Sequence, residues 1–364
     1  MIADAATLNR SVFNFSQPVD PREIAGDDAL LFELIGTRAF QRLKSIRFLG
    51  GIDYLLVRAP NGLKGNIRYT RYQHSLGVAR LALLYCSKRA ISRSDRRLVY
   101  VAALLHDIGH PPLSHSLEPV FAEVFGLEHH RASADIITGR VQLGCEIYET
   151  LRRHQVDVER VVAMIAGQVT GYDDFFSGPI NFDTIEGILR SQTYTKANPN
   201  MPSPEAVTEA AFRRLGEDDR GKVDSFWLHK DQVYRHIINS RVGVLADFAC
   251  QLFMRRHLDQ LMPSDYFSTE IEFFRKLHGL RKLLTNRSFE TEIMRQLDRP
   301  IVYKTRHFFI ESSADFFARD DKARYRQTKE DQILLPQEVE VADPAQLNRD
   351  LFDDDGNSTG EATF

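Results

Sequence analysis

The chain has 364 residues, 43% of them hydrophobic and 27% charged, and its 47 Lys+Arg against 50 Asp+Glu give a formal net charge of −3. At roughly 150 residues per domain that length suits about two domains, or one large helical domain with an attachment, and the near-neutral charge excludes a bulk basic nucleic-acid coater but not a local basic groove. Three distant cysteines (Cys86, Cys145, Cys250), a longest apolar run of only Val99 to Leu105 and no signal-like start argue against disulfides, a Cys-type zinc site or a membrane partner, and predict a cytoplasmic protein.

Residues 28–48 carry apolar positions three and four apart, which predicts a helix or helix pair ended by Gly50-Gly51. Residues 52–70 place β-branched and aromatic residues around Pro60-Asn61-Gly62, which predicts a small hairpin. Residues 74–90 predict a strongly amphipathic helix. Ser94-Asp95 can cap the next one, which runs to about Ile108 and is stopped by Gly109 and Pro111-Pro112. Ser114 or Ser116 opens a helix that ends near Gly126. Helices over 128–139 and 143–168 follow, the second broken near Gln155. A loop over 172–179 leads into a helix bearing Asp183. Residues 195–224 begin as a Pro/Asn-rich, exposed loop, and 227–263 return to long helices. Strand-like composition starts near Pro300, and from Pro336 an acidic stretch predicts a disordered tail. The fold class is mostly α, with a small β-hairpin near residues 52–70 and a smaller mixed α/β C-terminal region.

Half of the 12 histidines fall in under a sixth of the chain: His74, His106, His110, His115, His129 and His130. His106-Asp107 closes a fully apolar stretch, Val99 to Leu105. An imidazole and a carboxylate buried there are costly unless compensated. A divalent cation compensates both, and mixed N/O ligation suits manganese, iron, magnesium or zinc. The plain alternative is a hydrogen-bonded core histidine beside a helix-end acid. His74 also adjoins an apolar helix. In HDIGHPPLSH the Gly and two prolines force a sharp turn that can aim His110 and His115 back toward Asp107. Arg71, three residues before His74, suits a phosphate clamp because a guanidinium holds two phosphate oxygens at once. Arg42 and Arg190 could serve similarly, or be surface residues.

The pattern RYQHSLGVA (71–79), LLHDIGHPPLSHSLE (104–118), His129 with Ser133, and a later Asp183 resembles the HD-domain metal-dependent phosphohydrolases. The branch it is most similar to is the deoxynucleoside triphosphate triphosphohydrolases, which AFQRLKSIRFLGGIDY (39–54) and KDQVYRHIINSRVGVLADFACQLF (230–253) also resemble. The resemblance implies an N-terminal segment (1–16), an HD-domain helical bundle (17–280), a mixed α/β region (281–335) and the acidic tail (336–364). It implies one divalent cation held by His74, His106, Asp107 and Asp183. It makes His115 the active-site histidine, oriented by Glu118 where the family has Asp. His129 becomes a second active-site histidine and His110 a phosphate contact. Gly51 and Asp53 fall in a loop resembling the one that approaches the nucleoside. A nucleotide substrate, a nucleotide effector and homo-oligomers are further implications.

The expected reaction is hydrolysis of deoxynucleoside triphosphates to deoxynucleoside and triphosphate by metal-activated water at the α-phosphorus. One departure favours another phosphoester, such as a nucleoside monophosphate, a cyclic or short oligonucleotide, or a single-stranded DNA end. After Asp183 the family has a cation and an aromatic ring, where this chain has Thr184 and Gly187. A non-catalytic nucleotide sensor is the third alternative. The basic residues between Arg275 and Arg306 suit single-stranded nucleic acid, a nucleotide effector, or a solvated helix face.

Overall fold

Capping signals and apolar periodicity divide the chain into short helices in the computed structural model, which describes residues 15, 17–55, 69–194, 201–213, 217–311 and 324–335. The N-terminal part holds α1 (Pro21–Ala25), α2 (Ala29–Gly36), α3 (Arg38–Arg42) and α4 (Ile52–Leu55). The central part holds α5 (Arg71–Ser87), α6 (Arg93–Leu105), α7 (Glu118–Phe125), α8 (His129–Ile137), α9 (Cys145–Arg153), α10 (Val158–Ile165) and α11 (Phe182–Gln192). Then follow α12 (Pro204–Arg213), α13 (Glu217–Val233), α14 (Arg241–Arg255), α15 (Glu270–Lys276), α16 (His278–Leu284) and α17 (Phe289–Arg295). The only described sheet is an antiparallel pair, β1 (Ile301–Ile310) and β2 (Tyr325–Leu334), in register from Ile301 opposite Leu334 to Ile310 opposite Tyr325. The fold is thus mostly helical with one small sheet, and among the described residues no single helix is long and apolar enough to cross a membrane.

Helix α5 starts where Thr70 accepts from the Gln73 amide while the Gln73 side chain returns to the Thr70 amide. That reciprocal cap fixes the first turn and so the position of His74. Helix α5 is buried on nearly every face, Arg71 and His74 included, and is not the amphipathic surface helix that its sequence predicts. It packs on α6, α11 and α12, which surround it. Ser92, not Ser94-Asp95, caps α6. The helix ends at Leu105, so His106 stands at its C-terminus with Asp107 just beyond. In α11, Asn181 accepts from the Thr184 amide and the Thr184 hydroxyl returns to the Asn181 amide.

The structure departs from two other expectations. Residues 52–55 are helical, because Gly50 and Gly51 let the chain turn straight into α4, and the rest of the expected hairpin (56–68) lies outside the described residues. Residues 204–213, read as part of an exposed loop, form α12, whose Val207, Ala210 and Ala211 are buried. Strand composition after Pro300 does form the hairpin, which lies on α13. Trp227 meets Phe308 at 5.5 Å and Tyr325 at 5.1 Å between ring centroids, and its indole N–H donates to the Phe309 carbonyl at 3.1 Å. The acidic stretch from Pro336 lies outside the described residues.

Candidate metal centre and active site

His74, His106 and Asp107 each offer one ligand atom, and these lie within 4.8 Å of one another. Helix α5 supplies His74, and the end of α6 supplies His106 and Asp107. Each imidazole is turned by its outer nitrogen. His106 Nδ1 donates to the Ala103 carbonyl at 2.9 Å, and His74 Nδ1 donates to Glu186 Oε2 at 2.5 Å. Both Nε2 atoms therefore face inward, 3.3 Å apart. Asp183, in the first turn of α11, brings Oδ1 to 2.9 Å from His74 Nε2 and 3.8 Å from His106 Nε2. Asp107 Oδ2 is 3.4 Å from His74 Nε2. Two imidazoles with Nε2 turned inward, beside two carboxylates, are the donor set that a divalent cation takes in exchange for the imidazole protons.

Burial lowers the His74 pKa, but the carboxylates of Glu186, Asp183 and Asp107 more than offset it, and the value is pushed up to about 9. Asp107 is held well below the usual carboxylate range: burial raises it, and Arg71, His106 and His110 outweigh that. Glu186 is fully buried and also ion-pairs with Arg190, whose guanidinium lies over the Tyr69 ring. A Cβ on Gly77 would come within 1.9 Å of Glu186 Oε1, so only glycine in α5 leaves room for that carboxylate.

A second group adjoins the first. Glu118 Oε2 accepts from His115 Nδ1 at 2.9 Å, while Oε1 accepts from the His129 ring and from the His129 amide at 2.7 Å. The longer Glu thus bridges both histidines and caps α8. Burial alone would raise the Glu118 carboxyl, but hydrogen bonds from His115 and His129 hold it below its ordinary value. His110 is buried, stacks on His129 at 4.5 Å, and places Nε2 3.1 Å from Asp107 Oδ1. Burial, with Arg71 nearby, pushes His110 well below the usual histidine pKa. Arg71 is tethered by Asp107 at 2.8 Å and by Ser114 Oγ at 3.0 Å.

Of these groups, Arg71, Asp107, His110, His115, His129 and Asp183 line one cavity of about 330 Å³. Other expected residues lie elsewhere. Arg42 does not line it: its buried guanidinium donates to the carbonyls of Ile108, His110 and Ser268, so the fork that could clamp phosphate holds the loop after α6 instead. Arg190 is held by Glu186. Gly51 donates its amide to Ser116 Oγ at 2.9 Å, and Asp53 is buried beneath, accepting from the Leu49 amide at 2.8 Å; neither lines the cavity. Their neighbours Phe48, Leu49 and Ile52 do.

Sequence reasoning missed Glu186, Lys230, Asp247 and Glu270. Spacing could have flagged Glu186, which is three residues after Asp183 and four before Arg190 on one helix face. Lys230 lines the cavity from α13 and donates to the Pro179 carbonyl at 2.7 Å; burial pushes its pKa down to about 8. A separate groove of about 900 Å³ is lined by Lys44, Arg47, Arg275 and Arg281, with Glu270 at its base.

Residues 71–169, which supply His74, His106, Asp107, His110, His115, Glu118 and His129, match the HD domain family. The chain thus carries an HD domain. It is 32% identical over 279 residues to the uncharacterized protein YwfO of Bacillus subtilis, covering 73% of this chain and 60% of that one. It is 42% identical over 290 residues to the uncharacterized protein MJ1154 of Methanocaldococcus jannaschii, covering 75% of this chain and 55% of that protein. The chain therefore spans little more than half the length of these relatives. Human deoxynucleoside triphosphate triphosphohydrolase SAMHD1 is 37% identical over 99 residues, which is 25% of this chain and 14% of SAMHD1.

Proposed function

We propose that this chain hydrolyses nucleotides, with deoxynucleoside triphosphates as substrates and deoxynucleoside and triphosphate as products. The observation that carries this is the inward pair of Nε2 atoms of His74 and His106 beside Asp107 and Asp183, two carboxylates that line the same cavity as His115 and His129. The partial likeness to SAMHD1 supports the substrate class. His74, His106, Asp107 and Asp183 would hold one divalent cation, which when bound polarises a phosphoryl oxygen and lowers the pKa of a coordinated water.

The chain's own residues do the rest. Arg71, fixed by Asp107 and Ser114, presents a permanent positive charge to the phosphates. Lys230 supplies the cation that Thr184 does not, since the Thr184 hydroxyl is occupied in capping α11. His115, with its side chain 60% exposed at the cavity, donates a proton to the leaving oxygen, and Glu118 keeps its ring oriented. His129 shares that carboxylate and His110 contacts phosphate.

The test is a screen of the purified chain with Mn²⁺, Fe²⁺ or Mg²⁺ against dNTPs, nucleoside monophosphates, cyclic dinucleotides and single-stranded DNA, with products resolved. Deoxynucleoside plus tripolyphosphate is the expected outcome. Orthophosphate or nucleoside monophosphates would replace this reading with another phosphoester. His106→Ala and Asp107→Ala should each lose both bound cation and turnover. The Lys44, Arg47, Arg275 and Arg281 groove favours an anionic effector such as a nucleotide, to be checked as a change in turnover when a non-hydrolysable nucleotide is added.

A further inference from the structure

We propose that His110, His115, Glu118 and His129 form a second cation site, of the zinc class, whose occupation switches the hydrolytic site off. One donor atom from each of the four lies within 4.8 Å of the other three. Zinc bound at about 2.0–2.2 Å sets tetrahedral ligands roughly 3.3 Å apart, and three imidazoles with one carboxylate are ligands it accepts. Binding would draw the donor atoms together from separations of up to 4.8 Å.

A proton relay accounts for only three of these residues. His115 Nδ1 and the His129 ring share the two oxygens of Glu118. His110 is not part of that exchange, yet its ring stacks on His129 with planes 12° apart and meets His115 edge-on at 4.7 Å. Its Nε2 is held by Asp107, while its buried Nδ1 has no hydrogen-bond partner. A buried imidazole nitrogen left unpaired is destabilising. As the fourth donor to a cation it is satisfied, and Asp107 behind His110 is then the outer carboxylate that orients a ligating histidine. The exposed His115 ring gives the entry path.

A cation there takes Glu118 and both rings out of the hydrogen bonds that orient His115 and His129 for proton transfer, so turnover is lost while the first centre stays loaded. This goes beyond the hydrolase reading and is measured separately from it, as metal stoichiometry in the absence of substrate. The full chain, loaded at the first centre with Mn²⁺, is titrated with Zn²⁺ or Co²⁺ and assayed by elemental analysis and visible absorption. The wild type should take up one ion more than the double variant His115→Ala/Glu118→Gln, with cobalt bands of a tetrahedral site. A His74→Ala variant, with the first centre removed, should keep those bands. Zinc should abolish wild-type turnover, and a chelator followed by Mn²⁺ should restore it. Equal uptake by wild type and double variant, or no tetrahedral cobalt bands in the wild type, overturns the proposal. The wild-type spectrum decides the matter even if a variant misfolds.

Discussion

Glu186 and Gly77 show how single residues set the candidate metal centre. Glu186 fixes the His74 ring from behind, and Gly77 makes the space in which it does so. Outer carboxylates of this kind contribute about 10–100-fold to metal affinity. Glu186→Ala should therefore weaken cation binding by that range, read by competition with a chromophoric chelator. Gly77→Ala should weaken it too, by displacing the same carboxylate. Gly187 is the counterpart on the substrate side. A Cβ there would make only ordinary contacts, 3.4 Å to Phe48 and 3.5 Å to His74, so its lack of a side chain keeps the cavity open and does not relieve a clash.

At the scale of elements, the loop between α6 and α7 carries Asp107, His110 and His115 of the candidate site and is held from a distance. Leu113 and Ser114 both adopt left-handed backbone, at φ 58° and 47°, immediately before His115. Two such non-glycine residues cost about 1–3 kcal/mol each and persist only where neighbours over-determine them. Glu270 in α15 does this: Oε1 accepts from the Leu113 amide at 3.0 Å and the Arg47 amide at 2.7 Å, and Oε2 lies 2.5 Å from the Tyr54 hydroxyl. Burial pushes the Glu270 pKa from 4.5 up to about 7, despite those hydrogen bonds. With the folded value above the unfolded one, the native state binds the extra proton between those values. Stability is then greatest below the lower value and falls as pH rises through the window, by about 3 kcal/mol in all. The melting temperature should drop between pH 5 and 8, and Glu270→Gln should remove that component while keeping two accepted amides. Glu270→Ala leaves two buried amides unpaired; it should cost about 3 kcal/mol by denaturant unfolding and lower kcat without loss of bound cation.

For the whole molecule, α13 joins the C-terminal hairpin to the cavity. Trp227, 1% exposed, packs on Phe308 and Tyr325, and Arg324 makes a two-armed ion pair with Asp224 at 2.6 and 3.0 Å. Three residues beyond Trp227, on the same helix, Lys230 lines the cavity, and α13 runs on into a π-turn (Tyr234–Ile238) whose Tyr234 and Ile238 also line it. Trp227→Ala should cost about 3–5 kcal/mol and weaken substrate binding through Lys230, visible as a rise in KM in a thermally stable background.

The histidines, His106-Asp107 and the turn at Gly109 to Pro112 were legible because their meaning is local: an ionisable pair after an apolar stretch, and residues that stop a helix. Most helices were legible for the same reason, since 3.6-residue periodicity and caps act over a few residues. The burial of α5 on all sides was not, because its polar residues are compensated by Glu186, Asp107 and Ser114 from elsewhere in the chain. Nor was α12, whose apolar positions gain meaning only against α5, α11 and α13. The sequence by itself determined a mostly helical chain with a cation-ready histidine cluster. Only the tertiary structure decided that Arg42 holds a loop and not phosphate, that Lys230 and Glu270 belong to the site, and that Glu118 serves two histidines. Those roles rest on contacts between residues up to 226 positions apart, such as Arg42 and Ser268, and no local pattern encodes them.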